Sequence, residues 1–338
     1  MNERADKAKV LAWRWSKLVL AIVAFVVVSV LSIIASLIAT NVLPGRPIMG
    51  MAVGQLIGAV FAVLAMIALG GRRWVRISGD GVSHVFRIAW PALIVGVVSV
   101  VSVAVEAVSA GSVPDDAVLL LVESLLLCAG IGLYEEALFR GVIQGGLLAV
   151  MGRTRAGVMM AVVTASLFFG WEHVVGSDLT NPIVLAQVVL KTIEAGMFGF
   201  VMGASMLHTR QIGGIALFHA LNDFLLMGPS VAFLGDGMDF NYANPDGGIE
   251  SLIAYGILIA VMIVPTIWAA RSILKGQTPC HGALVERRNE KDRRRSLQVM
   301  PYYYGPIVNG PSYGTVVNDP IYGPVVNDPR DSERIRVR

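Results

Sequence analysis

Long apolar runs, separated by short polar connections, organise this chain. They fall at 18–41, 49–70, 88–110, 117–140, 157–176, 183–207, 212–228 and 251–270. Most are long enough to cross a hydrocarbon core of ~30 Å, which takes about 20 helical residues. The run at 212–228 is the shortest. Proline and glycine mark several of the breaks, as in Leu43-Pro44-Gly45, Gly111-Ser112-Val113-Pro114 and Asn181-Pro182. The pattern predicts an all-α protein, a polytopic transmembrane bundle of about eight spans followed by a disordered C-terminal tail. It divides into a three-helix region (1–116), a core (117–228), a loop with a last helix (229–270) and a basic, repeat-containing tail (271–338).

The basic residues orient these spans. Arg4, Lys7, Lys9, Arg14 and Lys17 precede the first, Arg72, Arg73, Arg76 and Arg87 follow the second, Arg153 and Arg155 follow the fourth, and Arg210 follows the sixth. The intervening loops hold Arg46 and otherwise mostly acids: Asp115, Asp116, Asp178, Asp236, Asp239, Asp246 and Glu250. By the positive-inside rule both termini are cytoplasmic, and the expected location is the plasma membrane. The first span is too long for a signal-peptide core and is read as a retained helix.

Composition agrees. Of 338 residues, 55% are hydrophobic and 15% charged, which sets the chain apart from soluble globular domains. The net charge of +3 resides at span ends and in the tail, so nucleic-acid binding is not indicated. Cys128 and Cys280 form neither a disulfide framework nor a cysteine-based metal site. Arg287, Arg288, Lys291, Arg293, Arg294 and Arg295 suit a bilayer with anionic headgroups. Three nine-residue repeats, beginning at Tyr304, Tyr313 and Tyr322, are too short to build a core.

Within this apolar chain one stretch is out of character: Gly132-Leu133-Tyr134-Glu135-Glu136-Ala137-Leu138-Phe139-Arg140-Gly141. Charge inside a span is costly, so it is paired, wetted or functional. Glu136 and Arg140 are four apart and can pair on one helix face, while Glu135 points about 100° away. A buried ion pair locking two helices and a catalytic carboxylate both fit. From Val118 to Val150 a single helix would measure roughly 50 Å, so strong tilt, a break near Gly130 and Gly132, or a turn at Gly141 or Gly145-Gly146 is expected.

His173 ends the fifth span, and His219 lies in the seventh with Asp223 one turn on. A carboxylate and an imidazole sharing a water can deprotonate it for attack on a carbonyl, while a second imidazole and an Asp or Asn stabilise the oxyanion. Two histidines and a carboxylate can equally hold a metal. Proton relay through Glu106, Glu123, Lys191 or Glu194 is a third reading, although Lys191 and Glu194 look like a self-neutralising pair.

The three motifs, Glu-Glu-x-x-x-Arg at 135–140, Phe-x-x-x-His at 169–173 and His-x-x-x-Asp at 219–223, resemble in order those of the CPBP family of intramembrane endopeptidases. That family includes the CAAX prenyl proteases and bacteriocin-processing or immunity proteins. The resemblance covers roughly 117–228. It implies that Glu135 and His173 activate the hydrolytic water, that His219 and Asp223 stabilise the oxyanion, and that Glu136 and Arg140 support them. Asp223 stands where many members have Asn, and an ionised Asp opposes an oxyanion unless it is paired or protonated. The implied partner is a membrane-associated or lipid-modified polypeptide, cut near the cytoplasmic face. No cofactor is favoured; if zinc is bound, its ligands are Glu135, His173 and His219. A non-catalytic immunity or scaffold protein and a transporter using the buried acids are the alternatives.

Overall fold

The computed structural model describes residues 3–111, 113–235, 242–243, 248–275, 280, 282–285, 316–319 and 323–326. The basic block at 287–295, the repeat opening at Tyr304 and the loop acids Asp236, Asp239 and Asp246 lie outside the described residues. Nine α-helices are described: α1 (Glu3–Val42), α2 (Pro47–Met66), α3 (Gly79–Ala110), α4 (Ala117–Glu135), α5 (Gln144–Met151), α6 (Arg155–Glu172), α7 (Pro182–Thr209), α8 (Gly213–Leu234) and α9 (Gly248–Lys275). Seven segments among the described residues are long and apolar enough to cross a membrane, α4 and α5 counting as one. The remaining expected span, the fifth, is α6, with 18 residues or about 27 Å; it bears Arg155 and Glu172 at its two ends and is not one of those seven. The seventh span is longer than its apolar run: α8 continues past 228 to Leu234.

Local chemistry sets the helix ends. Ser78 Oγ accepts from Gly81 N to start α3, Thr154 Oγ1 accepts from Gly157 N to start α6, and Asn181 Oδ1 accepts from Ile183 N to start α7. Helix α3 stops at Gly111 and α8 at Gly235, both in the left-handed region that glycine enters without strain. Small residues set the packing. On α2, Gly50, Gly54 and Gly58 lie against Thr40, Ser36 and Ser32 of α1, leaving no room for a Cβ.

The helices alternate in direction, so charge separates between the two ends of the bundle. At one end lie Arg72, Arg73, Arg76, Arg153, Arg155 and Arg210, with Trp74 O accepting from Ile212 N at 3.0 Å. At the other lie Asp115, Asp116, Asp178 and Glu250, where Gly235 approaches Pro114. Arg46, the one arginine among the described residues of that end, is tied to the buried Glu123.

Of the three alternatives for the long fourth span, the continuous one is found. Between Glu135 and Gln144 the chain does not break at a glycine; it runs on as a π-helical stretch, Glu136–Ile143, so that Ala117–Met151 is one continuous segment of 35 residues. Helix α9 extends to Lys275, and Ala283, Leu284 and Val285 are buried, Leu284 lying against Gly70 and Gly145 at the basic end. A second compact unit comprises residues 293–338. Its described elements are two four-residue strands, β1 (Val316–Asp319) and β2 (Gly323–Val326), paired antiparallel with Val316 opposite Val326.

Candidate active site

Glu135 is the last α-helical residue of α4, and Glu136 opens the π-helical stretch. A π turn shifts the side chains after it relative to an α-helix, and such turns recur at functional sites. Glu136 and Arg140 are both buried, and Arg140 Nε lies 3.2 Å from Glu136 Oε2. The Arg140 guanidinium stacks on Phe169, 4.1 Å from the ring centre. Gly199 of α7 makes room for it: a Cβ there would lie 2.9 Å from Arg140 Nη2.

Helix α8 brings His219 to the same place. Gly132 allows this, since a Cβ on it would stand 2.7 Å from both Ala216 O and Ala220 N. His219 Nδ1 lies 2.8 Å from Glu136 Oε1. A carboxylate only accepts, so Nδ1 carries the proton and donates. The other nitrogen, Nε2, therefore faces the remaining acids: Glu135 Oε2 at 3.6 Å and Asp223 Oδ2 at 3.4 Å. Glu136 thus has two partners, Arg140 and His219. The first was expected from the four-residue spacing; the second spans 83 positions of sequence and had no local signal.

His173 enters from the end of α6. Its Nδ1 is 2.8 Å from Phe169 O, an acceptor, so Nδ1–H donates and Nε2 is left as an acceptor. The rings of His173 and His219 both pack on Phe169, with centroids at 4.6 and 6.1 Å, and Phe198 covers His219 at 4.9 Å. Glu135, His173, His219 and Asp223 thus come from three separate segments into one neighbourhood. The imidazole in direct reach of Glu135 is that of His219, however, not the expected His173. Asn222, next to Asp223 on α8, is buried.

Residues outside the three motifs complete the surroundings. Tyr242, between α8 and α9, lies with its ring 5.7 Å from that of His173. Its carbonyl accepts from the Tyr255 hydroxyl, and Lys191 Nζ sits 4.4 Å from its ring centre. Lys191 also pairs with Glu194 at 2.8 Å, as their spacing suggested. Burial pushes the Tyr242 phenol well above its usual value near 10, and the Asp223 and Glu135 carboxylates add to this; it stays a neutral donor. A lone tyrosine in a connecting loop carries no sequence pattern, so sequence reasoning missed it. Nearby at the same end, Asp178 accepts from the Thr180 hydroxyl and backbone N–H, which hold its carboxyl below the ordinary range.

Glu135, His173 and His219, the residues expected to hold zinc if it is bound, are not gathered into one coordination sphere as they stand. Among the described residues no three His, Cys, Asp or Glu side chains gather as a metal-binding group. His219 Nδ1 is committed to Glu136, and Nε2 lies toward the Glu135 and Asp223 carboxylates.

Comparison with known proteins identifies one region. Residues 117–225 match the family model described as Rce1-like, type II CAAX prenyl endopeptidase. The match covers the segment in which the three motifs occur, so this part of the chain is similar to the CAAX-protease (CPBP) type of domain. No curated protein and no solved structure matches the chain.

Proposed function

We propose that this protein is an intramembrane endopeptidase that hydrolyses a peptide bond of a membrane-associated or lipid-modified polypeptide with a water activated by Glu135. One observation carries the mechanism. Glu135 Oε2 is enclosed, has no hydrogen-bond partner, and stands 3.6 Å from His219 Nε2. A buried carboxylate oxygen without a donor is costly, and a bound water is the group that relieves it.

In this reading a water lies between Glu135 and His173 Nε2, both acceptors. Glu135 takes its proton as the water oxygen attacks the carbonyl carbon. The carbonyl oxygen becomes an oxyanion and accepts a hydrogen bond from the Tyr242 hydroxyl or from protonated His219 Nε2. Collapse breaks the C–N bond, and the proton held by Glu135 passes to the leaving amine. Arg140 and Glu136 take no proton; they hold His219 with Nε2 toward the reacting atoms, as the carboxylate of a catalytic triad orients its histidine. Asp223 lies against His219 Nε2, which offsets the conflict between its charge and an oxyanion.

The proposed setting is the plasma membrane, with α6 as the fifth of eight crossings and both termini in the cytoplasm, on the side of the basic loops. The test is cleavage of a peptide library in liposomes by wild type and Glu135→Gln, each with and without a chelator. Loss of cleavage in the variant alone supports the glutamate mechanism. Loss with chelator, restored by zinc, overturns it.

A further inference from the structure

The contact that brings Glu135 to His219 has a second side. Where α4 meets α8, Gly132 lies against Ala216 and Ala220, and a Cβ on it would stand 2.7 Å from Ala216 O and Ala220 N. At about 100° per residue, Glu135 and His219 fall on one flank of that contact, and Ala129, Leu133, Gly213 and Leu217 fall on the other. This second flank holds a cavity of about 400 Å³, bounded by α2, α4, α8 and the connection from α2 to α3. None of Glu135, His173, His219 or Asp223 lines it. The helices touching at Gly132 stand between the cavity and the reacting groups, so it is no part of the site described above.

The cavity is apolar inside and basic at its mouth. Its walls include Val63, Ala129, Leu133, Ala216 and Ala220, and from Gly213 to Ala220 helix α8 carries it about 10 Å into the bundle from the basic end. Its volume is that of a small-molecule site, roughly 300–1,000 Å³. The lining ends at Arg76, whose side chain is exposed and forms no ion pair among the described residues. Asp80, the acid nearest to it in sequence, is exposed as well and does not pair with it. Gly213 N donates to Arg76 O at 2.9 Å, which holds the start of α8, with Arg210 just before it, at the same mouth. Arg72 and Arg73 precede Arg76 in the connection. The positive-inside rule puts this end in the cytoplasmic leaflet, whose anionic lipids are drawn to basic pockets between helices. A peptide laid here would leave backbone amides without partners against these apolar walls, whereas a hydrocarbon chain has none to satisfy.

We infer that this groove binds an anionic phospholipid of the cytoplasmic leaflet, its phosphate at Arg76 and one acyl chain laid against Ala129, Leu133 and Ala216. Seated there, the lipid braces the α4–α8 contact from the flank opposite Glu135 and His219. The exposed arginine at the mouth favours a chain with an anionic headgroup over the uncharged hydrocarbon of a lipid-modified polypeptide. The site and its test are independent of the endopeptidase reading.

The test is thermal unfolding of the full chain in detergent micelles, followed by tryptophan fluorescence, with added phosphatidylglycerol or phosphatidylcholine of the same acyl chains. Phosphatidylglycerol is expected to raise the midpoint saturably, and at a lower mole fraction than phosphatidylcholine. Arg76→Gln should raise the half-saturating fraction of phosphatidylglycerol about fivefold, the effect of one basic residue at a membrane surface. Ala129→Phe fills the groove from an exposed position and should abolish the saturable response. Leu217→Trp fills it from α8 and takes the place of Ala129→Phe if that variant does not fold. An equal response of wild type to both phospholipids overturns the inference. So does an unchanged phosphatidylglycerol response in Arg76→Gln or in a folded groove-filling variant. Replacing Arg287, Arg288, Lys291, Arg293, Arg294 and Arg295 by glutamine should leave the response in place; its loss there assigns the lipid to the tail and refutes the groove. Farnesol, a chain without a charged headgroup, refutes it too if it stabilises as well as phosphatidylglycerol does. None of these readouts involves cleavage, so failure of the endopeptidase reading in the Glu135→Gln assay is recognised separately.

Discussion

Arg140→Met removes one partner of a buried ion pair while keeping most of the side-chain volume. Arg140 is 2% exposed and Glu136 is 0% exposed, so little water is at hand to solvate the carboxylate left behind. Breaking a buried pair in this way costs about 3–5 kcal/mol. At 1.4 kcal/mol per decade that is roughly two to three and a half decades in the folding equilibrium. Loss of the guanidinium from the Phe169 face, 4.1 Å away, acts in the same direction. The assay is equilibrium unfolding in mixed micelles titrated with SDS, followed by fluorescence of the six tryptophans. The decisive comparison is the double variant Arg140→Met with Glu136→Gln. Glutamine keeps a carbonyl oxygen for His219 Nδ1–H while removing the stranded charge, so the double variant should be more stable than Arg140→Met alone. If Arg140→Met unfolds within about 0.5 kcal/mol of wild type, or if the two effects simply add, the pair is not the buried, dry unit described above.

Other outcomes follow from the same geometry. Gly132→Ala places a methyl against the backbone of α8, which cannot rotate away, and should destabilise by about 1–3 kcal/mol and lower kcat by separating Glu135 from His219. Tyr242→Phe keeps the ring beside His173 and removes the hydroxyl. A ten- to hundredfold fall in kcat with KM unchanged is expected, of the order of one hydrogen bond to a charged group. Because the phenol stays protonated, that deficit should be the same from about pH 6 to pH 9; a deficit that vanishes as pH rises refutes the donor role. Cleavage should survive prolonged chelation, measured with metal content by mass spectrometry on the same sample. Leu284→Asp should lower the unfolding midpoint without changing KM, since Leu284 fills the basic end and touches no catalytic residue.

The features legible in the sequence were those with a local cause. Apolar length located the helices, Asn181-Pro182 and Gly111 marked their ends, and the spacing of Glu136 and Arg140 foretold their pairing. What stayed hidden required distant parts of the chain to meet. The bond from His219 to Glu136 joins two helices, and Arg46 finds Glu123 across 77 positions. The π-helical stretch was missed because its composition, Leu, Phe, Val and Ile beside small residues, equally suits an α-helix. Three glycines nearby suggested a break, yet Gly132 and Gly141 serve close packing against α8 and Met66. Leu284 gave no sign because its apolar run, Ala283-Leu284-Val285, is only three residues long in a polar context.

The π-helical stretch makes the site sensitive to counting as well as to chemistry. Each such turn holds one residue more than an α turn, so the segment from Glu136 to Ile143 is a place where the helix has absorbed an extra link. Deleting Leu138 would let the chain wind back to the commoner form. Residues beyond the stretch, Gln144 included, would then keep their orientation, and the change would fall inside it, where Glu136 and Arg140 would stand three apart instead of four. An inserted residue is the harsher change: with the π turn already holding the extra link, everything beyond would turn by about 100° relative to Glu135.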